Sequence, residues 1–307
     1  MSTMNISTAA SRGRCRLYGR HSNLLVMKKG LITLLLILLC FYGYSQSTSY
    51  EVYTIRFGGP WFAKLSEIAA DASEKDSIEG CQMFWLLKGN GKNILVDAGY
   101  LLNEIGTSAY NNYPVNNYIR PDSALLRIGI AAKDITDIII THPHFDHIGG
   151  IGLFPSAQLW MQQDDYDYFV GKAWQKNNIN EGFYKEDVKD LVTKNLDGKL
   201  TLIKGDSIEI FPDIRTFIGS KHTWESQYLL VTTKADKVII ASDNCTFYYN
   251  LEHLVTISKN TFDTAAYVQQ IKRMRILQPN LNLIIPGHNA LVFSKFPKVA
   301  EGIVKIR

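Results

Sequence analysis

The decapeptide Thr141-His142-Pro143-His144-Phe145-Asp146-His147-Ile148-Gly149-Gly150 follows directly on the apolar run Ile138-Ile139-Ile140. An unbroken apolar run of this kind suits a strand buried on both faces, in a sheet covered by helices. In the extended stretch that leaves the strand, residues two apart point to the same side, so His142 and His144 can face one point. Asp146 and His147 come from the turn that follows and can address a second point nearby. Gly149 and Gly150 let the backbone turn tightly there. Imidazole and carboxylate donors in one short segment suit zinc or a related first-row ion.

Outward from this segment, short apolar runs alternate with turn signals. Strands are expected at Tyr50–Phe57, Gln82–Lys88, Asn93–Asp97, Asp137–Thr141, Ala157–Gln162 and Lys199–Lys204. Further strands are expected at Ser207–Phe211, Arg215–Gly219, Gln227–Thr232, Lys237–Ala241 and Leu281–Ile285. Helices are expected at 122–129, 164–172, 184–195 and 264–277. The last has Asp263 as N-cap, Tyr267, Ile271 and Met274 at helical spacing, and Pro279 beyond its end. Many strands with interspersed helices imply a layered α/β or α+β architecture. With no repeat, low-complexity tract or linker, a single catalytic domain over 46–307 is the expectation.

His-x-His-x-Asp-His resembles the signature of the metallo-β-lactamase superfamily. The resemblance implies an α+β fold, a four-layer αββα sandwich of two mixed sheets flanked by helices. It also implies four further features, each present in order. An Asp closes an early strand in Ile94-Leu95-Val96-Asp97-Ala98-Gly99, and a third His follows a strand in Gly219-Ser220-Lys221-His222-Thr223-Trp224. There Trp224-Glu225 replaces the family's Pro-Gly. A bridging Asp ends Ile239-Ile240-Ala241-Ser242-Asp243, and a final His ends Ile284-Ile285-Pro286-Gly287-His288. Past the leader the chain has six His, of which only His253 lies outside these slots.

By the family pattern, His142, His144 and His222 hold one divalent ion and Asp146, His147 and His288 the other, with Asp243 bridging and Zn2+ the expected metal. Asp243 and Asp146 are then catalytic, a metal-bridging hydroxide is the nucleophile, and Asp97 orients ligands or simply caps a turn. Within the superfamily the similarity runs to N-acyl homoserine lactonases, through His-Pro-His-Phe-Asp-His-Ile-Gly-Gly, the preceding Leu125–Ile130 and Pro286-Gly287-His288. Lactone or ester hydrolysis is implied. The alternatives are phosphotriesters, aryl esters, thioesters or β-lactams, or a metal-binding protein without catalysis. Some lactonases carry a Tyr three residues after the bridging Asp. That place is Thr246 here, so Tyr248 is assigned as the substrate-contacting tyrosine, with Tyr249 the alternative. Aromatics at Tyr110, Tyr113 and Tyr118 and at Tyr166, Tyr168, Phe169, Trp174, Phe183 and Tyr184 either wall an apolar substrate or form a helical core or dimer face.

The formal charge of +4 is unevenly spread. Arg12, Arg14, Arg16, Arg20, Lys28 and Lys29 precede residue 46, where no acid stands, and without these six the balance is 27 basic to 29 acidic residues. A nearly neutral body gives no electrostatic reason to expect nucleic acid. Met27-Lys28-Lys29-Gly30, the apolar Leu31–Phe41, and small Gly43 and Ser45 read as a signal peptide over 27–45, preceded by an extension at 1–26. A periplasmic or secreted location is expected, with an uncleaved N-terminal membrane anchor as the alternative, no stable membrane partner after cleavage, a small-molecule substrate and room for a homodimer. Cys81 and Cys245 can pair in that compartment or can be two small buried residues.

Overall fold

The computed structural model describes residues 49–69, 72–102, 116–257 and 261–307, which belong to one compact unit. The signal peptide at 27–45, the extension before it, Tyr110 and Tyr113 lie outside the described residues. Among the described residues no helix is long and apolar enough to cross a membrane.

Two mixed sheets carry the fold. The larger has the order β12-β13-β1-β2-β3-β4-β5-β6. Its strands are β1 (Glu51–Lys64), β2 (Ser77–Gly89), β3 (Lys92–Val96), β4 (Asp137–Ile139), β5 (Gln158–Gln162), β6 (Leu200–Ile203), β12 (Lys298–Ala300) and β13 (Ile303–Lys305). From β3 to β6 the strands run parallel, and the rest pair antiparallel. The smaller sheet has the order β11-β10-β9-β8-β7. It comprises β7 (Ile208–Phe211), β8 (Ile214–Ile218), β9 (Gln227–Thr232), β10 (Lys237–Ser242) and β11 (Ile284–Pro286), with β10 and β11 parallel.

Alternation along β2 explains why the large sheet is covered on both faces. Met83, Trp85 and Leu87 join one apolar cluster, with Leu229, Ile239 and Ile284 of the small sheet. Phe84 and Leu86 point the other way, into a second cluster. Helices α2 (Pro121–Leu126), α4 (Gln163–Val170) and α5 (Lys185–Leu196) complete this second cluster through Leu125, Phe169 and Leu191. Helix α7 (Thr264–Leu277) covers the small sheet with Tyr267, Ile271 and Met274, all fully buried. Its N-cap is Asp263, whose carboxylate accepts from Ala265 N and Ala266 N at 2.9 Å. The layers are therefore helix, sheet, sheet, helix, the expected αββα sandwich.

All eleven expected strands form, with differences of extent; β2, for one, begins five residues early at Ser77. Leu281–Leu283 is a 3-10 turn and only Ile284–Pro286 pairs. β1 runs on through Gly58-Gly59-Pro60 to Lys64 by means of register shifts at Arg56/Gly58 and Gly58/Trp61. Short helices α1 (Leu65–Ile68), α3 (Phe145–Ile148), α6 (Tyr248–His253) and α8 (Val292–Lys295) fill connections. Cys81 and Cys245 are buried and unbonded, so the second of the two readings for them holds. The architecture gathers five chain segments at the carboxyl ends of β3, β4, β8, β10 and β11, where layered sheets place their sites.

Candidate metal centre

Each donor leaves its strand end under a definite local constraint. His142 follows β4, His144 is the N-cap residue of α3, and Asp146 and His147 lie in that single helical turn. Asp243 follows Ser242, whose backbone sits at φ 48° and ψ −142°. That conformation costs about 1–3 kcal/mol and persists only where surrounding contacts hold it. Here they do: Ser242 Oγ donates to Asp97 Oδ2 at 3.1 Å, and Asp97 itself has φ 63°. Gly287 packs directly on the Asp243 carboxylate, since a Cβ there would meet Asp243 Oδ1 at 2.0 Å.

The donor atoms converge in two overlapping sets. His144 Nδ1 lies 3.1 Å from His142 Nε2 and 3.0 Å from His222 Nε2. Asp243 Oδ2 stands 3.3 Å from His222 Nε2 and 3.9 Å from His142 Nε2. In the second set Asp146 Oδ2 is 3.4 Å from His288 Nε2 and 3.6 Å from His147 Nε2. Asp243 belongs to this set too, with Oδ1 at 3.1 Å from His288 Nε2. All seven expected metal ligands, His142, His144, Asp146, His147, His222, Asp243 and His288, thus fall in these sets.

The donors fit divalent ions. Nitrogens tetrahedrally placed about 2.0–2.1 Å from zinc stand about 3.3 Å apart, close to the spacings seen here. His147 Nε2 and Asp243 Oδ1 are buried without a hydrogen-bond partner, as ligand atoms facing a cation would be. Charge points the same way. Burial and neighbouring imidazoles hold His142 and His144 well below the usual histidine range, keeping their lone pairs free. Burial works against a charge on His147, but Asp146, Asp97 and Asp243 outweigh it and push the imidazole up to about 10. Burial opposes ionisation of Asp243, and His288 and His147 overcome it, so its carboxyl lies well below the carboxylate range. The carboxylates of Asp146 and Asp243 favour positive charge around His147 and His288.

Hydrogen bonds behind the donors set the ring orientations. His147 Nδ1 is 2.8 Å from Asp97 Oδ2, and Asp97 also accepts Thr141 N at 2.7 Å and Thr141 Oγ1 at 2.8 Å. Asp97 is therefore an orienting residue rather than only a turn cap. His142 Nδ1 lies 3.0 Å from Thr141 Oγ1, and His288 Nδ1 lies 3.0 Å from the backbone carbonyl of Cys81. In each case an N–H donated backwards leaves Nε2 to face the centre. The Nδ1 atom of His222 is buried and has no such partner. Its loop is instead tied by Asn244, whose Oδ1 accepts Ser220 N at 2.7 Å and Ser226 Oγ at 2.7 Å.

Sequence reasoning missed Ser242, Asn244 and the Cys81 carbonyl. A polar pair flanking Asp243 was the available signal for the first two; a backbone carbonyl leaves none. Tyr248 is placed differently from the expectation. Its ring is 3% exposed within the apolar cluster between the sheets, and the Lys295 ammonium lies 4.7 Å from the ring centroid. Its hydroxyl meets no partner and none of the donors. Tyr249 stacks on His253 at 4.2 Å. Tyr166, Tyr168 and Phe169 are core residues, while Phe183 reaches His144, with ring centroids 5.5 Å apart, and Tyr184 packs on Phe145 at 5.1 Å.

Residues 82–216 match the family model of the Metallo-beta-lactamase superfamily. An N-acyl homoserine lactonase of Bacillus sp is 27% identical over 216 residues, covering 67% of this chain and 80% of the relative. Among solved structures, an N-acyl homoserine lactone hydrolase with N-hexanoyl-L-homoserine at its catalytic metal centre superposes with a TM-score of 0.64 at 21% identity, over 82% of this chain and 98% of that one. AidC, a dizinc quorum-quenching lactonase, gives 0.59 at 17% identity over 84% and 97%. Likenesses at those identities speak to the fold alone, and over residues 82–216 the chain is similar to the metallo-β-lactamase superfamily.

Proposed function

We propose that the protein is a dinuclear metal-dependent hydrolase that opens lactones, of the acyl-homoserine lactone kind, or related esters. The observation that carries this reading is the pair of donor sets that meet at Asp243, whose Oδ2 is 3.3 Å from His222 Nε2 and 3.7 Å from His147 Nε2 and whose Oδ1 is 3.1 Å from His288 Nε2. Similarity to N-acyl homoserine lactonases supports the substrate class. When bound, two divalent ions supply Lewis acidity that polarises a carbonyl and lets water ionise near neutral pH.

The chain's own residues do the rest. His142, His144 and His222 would hold one ion, and Asp146, His147 and His288 the other, with Asp243 common to both. Side chains of Asp146 and Asp243 remain 12% and 9% accessible, so an ester carbonyl can approach the cluster from that side. Asp146, at the open edge, would offer the carboxylate oxygen not turned to the ion to take a proton from water and return it to the leaving alkoxide. Asp97 and Thr141 keep His147 and His142 in the tautomers that present Nε2. Tyr248, sealed in the core, takes no part in this account.

The leader read at 27–45 directs this activity to the periplasm or the exterior. The test is a hydrolysis screen of the zinc-loaded protein across lactones, aryl esters, phosphotriesters and lactams, with acid release followed at constant pH. Lactone turnover that disappears in Asp243→Ala supports the proposal. Turnover confined to phosphotriesters or lactams reassigns the substrate, and none on any panel refutes catalysis.

A further inference from the structure

The two donor sets are supported from different directions. His147 and His288 are held from within, by Asp97 and by the carbonyl of Cys81. His222, whose Nδ1 lacks a partner, depends on the loop that carries it, and one helix grips that loop from outside. Asp165 of α4 is 1% exposed and takes two bonds from the residues just past His222: Thr223 Oγ1 donates to Oδ2 at 2.7 Å, and Glu225 N donates to Oδ1 at 3.1 Å. One helical turn on, Tyr168 stacks on Trp224 with centroids 4.9 Å apart and planes 3° from parallel. Lys172, beyond the helix end, sets Nζ 4.4 Å from the same indole. Residues 165 and 168 lie on one face of α4 and Lys172 stands in the turn just past its end, so the three grips meet the same loop.

The same helix reaches the second histidine of this set. Phe169 packs on Phe183 at 4.9 Å, and Phe183 lies against His144. Gly182 closes the contact, since a Cβ there would come within 2.7 Å of His144 Cδ2. On the far side of the loop, Phe262 N and Thr261 Oγ1 donate to Lys221 O at 2.7 Å and 3.1 Å. None of these contacts touches Asp146, His147 or His288.

We infer that α4 clamps one metal position only: Asp165 and Trp224 fix the place of His222, and thereby the affinity of the His142–His144–His222 position. The inference rests on the two-ion reading above. It gives a chemical sense to Trp224-Glu225 in place of Pro-Gly. An indole held by the helix, with a backbone N–H delivered to a buried carboxylate, supplies rigidity that proline and glycine would otherwise bring. Asp165, Thr223 and Trp224 are positioning residues and touch no ligand ion themselves.

The experiment is a Co2+ titration of the purified metal-free chain, followed by calorimetry and visible absorption. Wild type is compared with Thr223→Val, which keeps shape and loses the hydroxyl, and with Thr223→Ser, which retains it. His288→Ala, lacking a donor of the other set, identifies which band belongs to which position. Two ions are expected in wild type. Thr223→Val should weaken one position about 10–100-fold, the range seen when a residue that orients a metal ligand is lost. The band preserved in His288→Ala should be the one affected, and Thr223→Ser should restore it. With wild type taking two ions, equal weakening of both positions, or wild-type binding by Thr223→Val, overturns the clamp alone. Fewer than two ions in wild type overturns the dinuclear reading and the selectivity built on it.

Discussion

Replacing Gly287 by Ala adds one methyl group and removes no ligand, which makes it a sharp probe of the shared carboxylate. Gly287 does not have a positive φ, so alanine meets no backbone penalty. The conflict is steric: the new Cβ would lie 2.0 Å from Asp243 Oδ1, 2.8 Å from Ser242 C and 3.0 Å from Asp243 N. Real Cβ contacts stay beyond 3.0 Å, so the carboxylate or the 286–288 segment must retreat by about 1 Å. Metal ligation tolerates about 0.2 Å. A misplacement of about 1 Å in a reacting constellation costs on the order of a hundredfold in rate. Overpacking costs the fold only about 1–3 kcal/mol, so the variant should remain folded. The expected result is a folded protein that retains less than two zinc ions after dialysis, by elemental mass spectrometry, and hydrolyses lactone about a hundredfold more slowly. Two ions per chain with kcat within twofold of wild type would show that Asp243 does not bridge as described.

Three further outcomes follow from the same geometry. Asp97→Asn removes the charged acceptor behind His147 and should lower zinc affinity about 10–100-fold, measured by competition with a chromophoric chelator; unchanged affinity refutes the orienting role. Saturating both positions at about a hundred times Kd should add about 5 kcal/mol, or about 10–20 °C in Tm, over the chelated protein; coincident melts would mean the donors do not bind in the folded state. Burial raises the Asp165 carboxyl to about 7 against the bonds from Thr223 and Glu225 N, with Glu225 raising it and Lys221 lowering it. A folded value above the unfolded one stabilises fully below about pH 4 and is lost as pH rises through about 7. Melts of the metal-free protein should therefore fall across that window in wild type and flatten in Asp165→Asn, and parallel slopes would refute the assignment.

The donors were legible in sequence because each stands in a local pattern: His142 and His144 two apart after a buried strand, Asp243 and His288 at strand ends. The α7 helix was equally open, with its cap and its buried stripe both written into residues 263–277. What stayed hidden depends on contacts distant in the chain. Gly58-Gly59-Pro60 reads as a strand breaker, yet register shifts carry β1 through it. β12 and β13 are three residues each, too short for a periodic signal, and exist because β13 pairs with β1. Spacing from Asp243 points to Tyr248, but in the turn of α6 its side chain faces the core. The role of Trp224 needed α4 beside it, which spacing alone does not reveal.

The bond from His288 to the carbonyl of Cys81 has a consequence for how variation in this protein is to be read. A carbonyl is common to every amino acid, so the side chain at position 81 is free, as far as His288 is concerned, to drift over time. What selection must preserve there is alignment, because sliding β2 by one residue would bring the peptide of Gly80 or Gln82 opposite the imidazole. An insertion or deletion in the β1–β2 arm is thus more damaging to the catalytic apparatus than any single replacement at Cys81, though no residue of that arm donates to an ion.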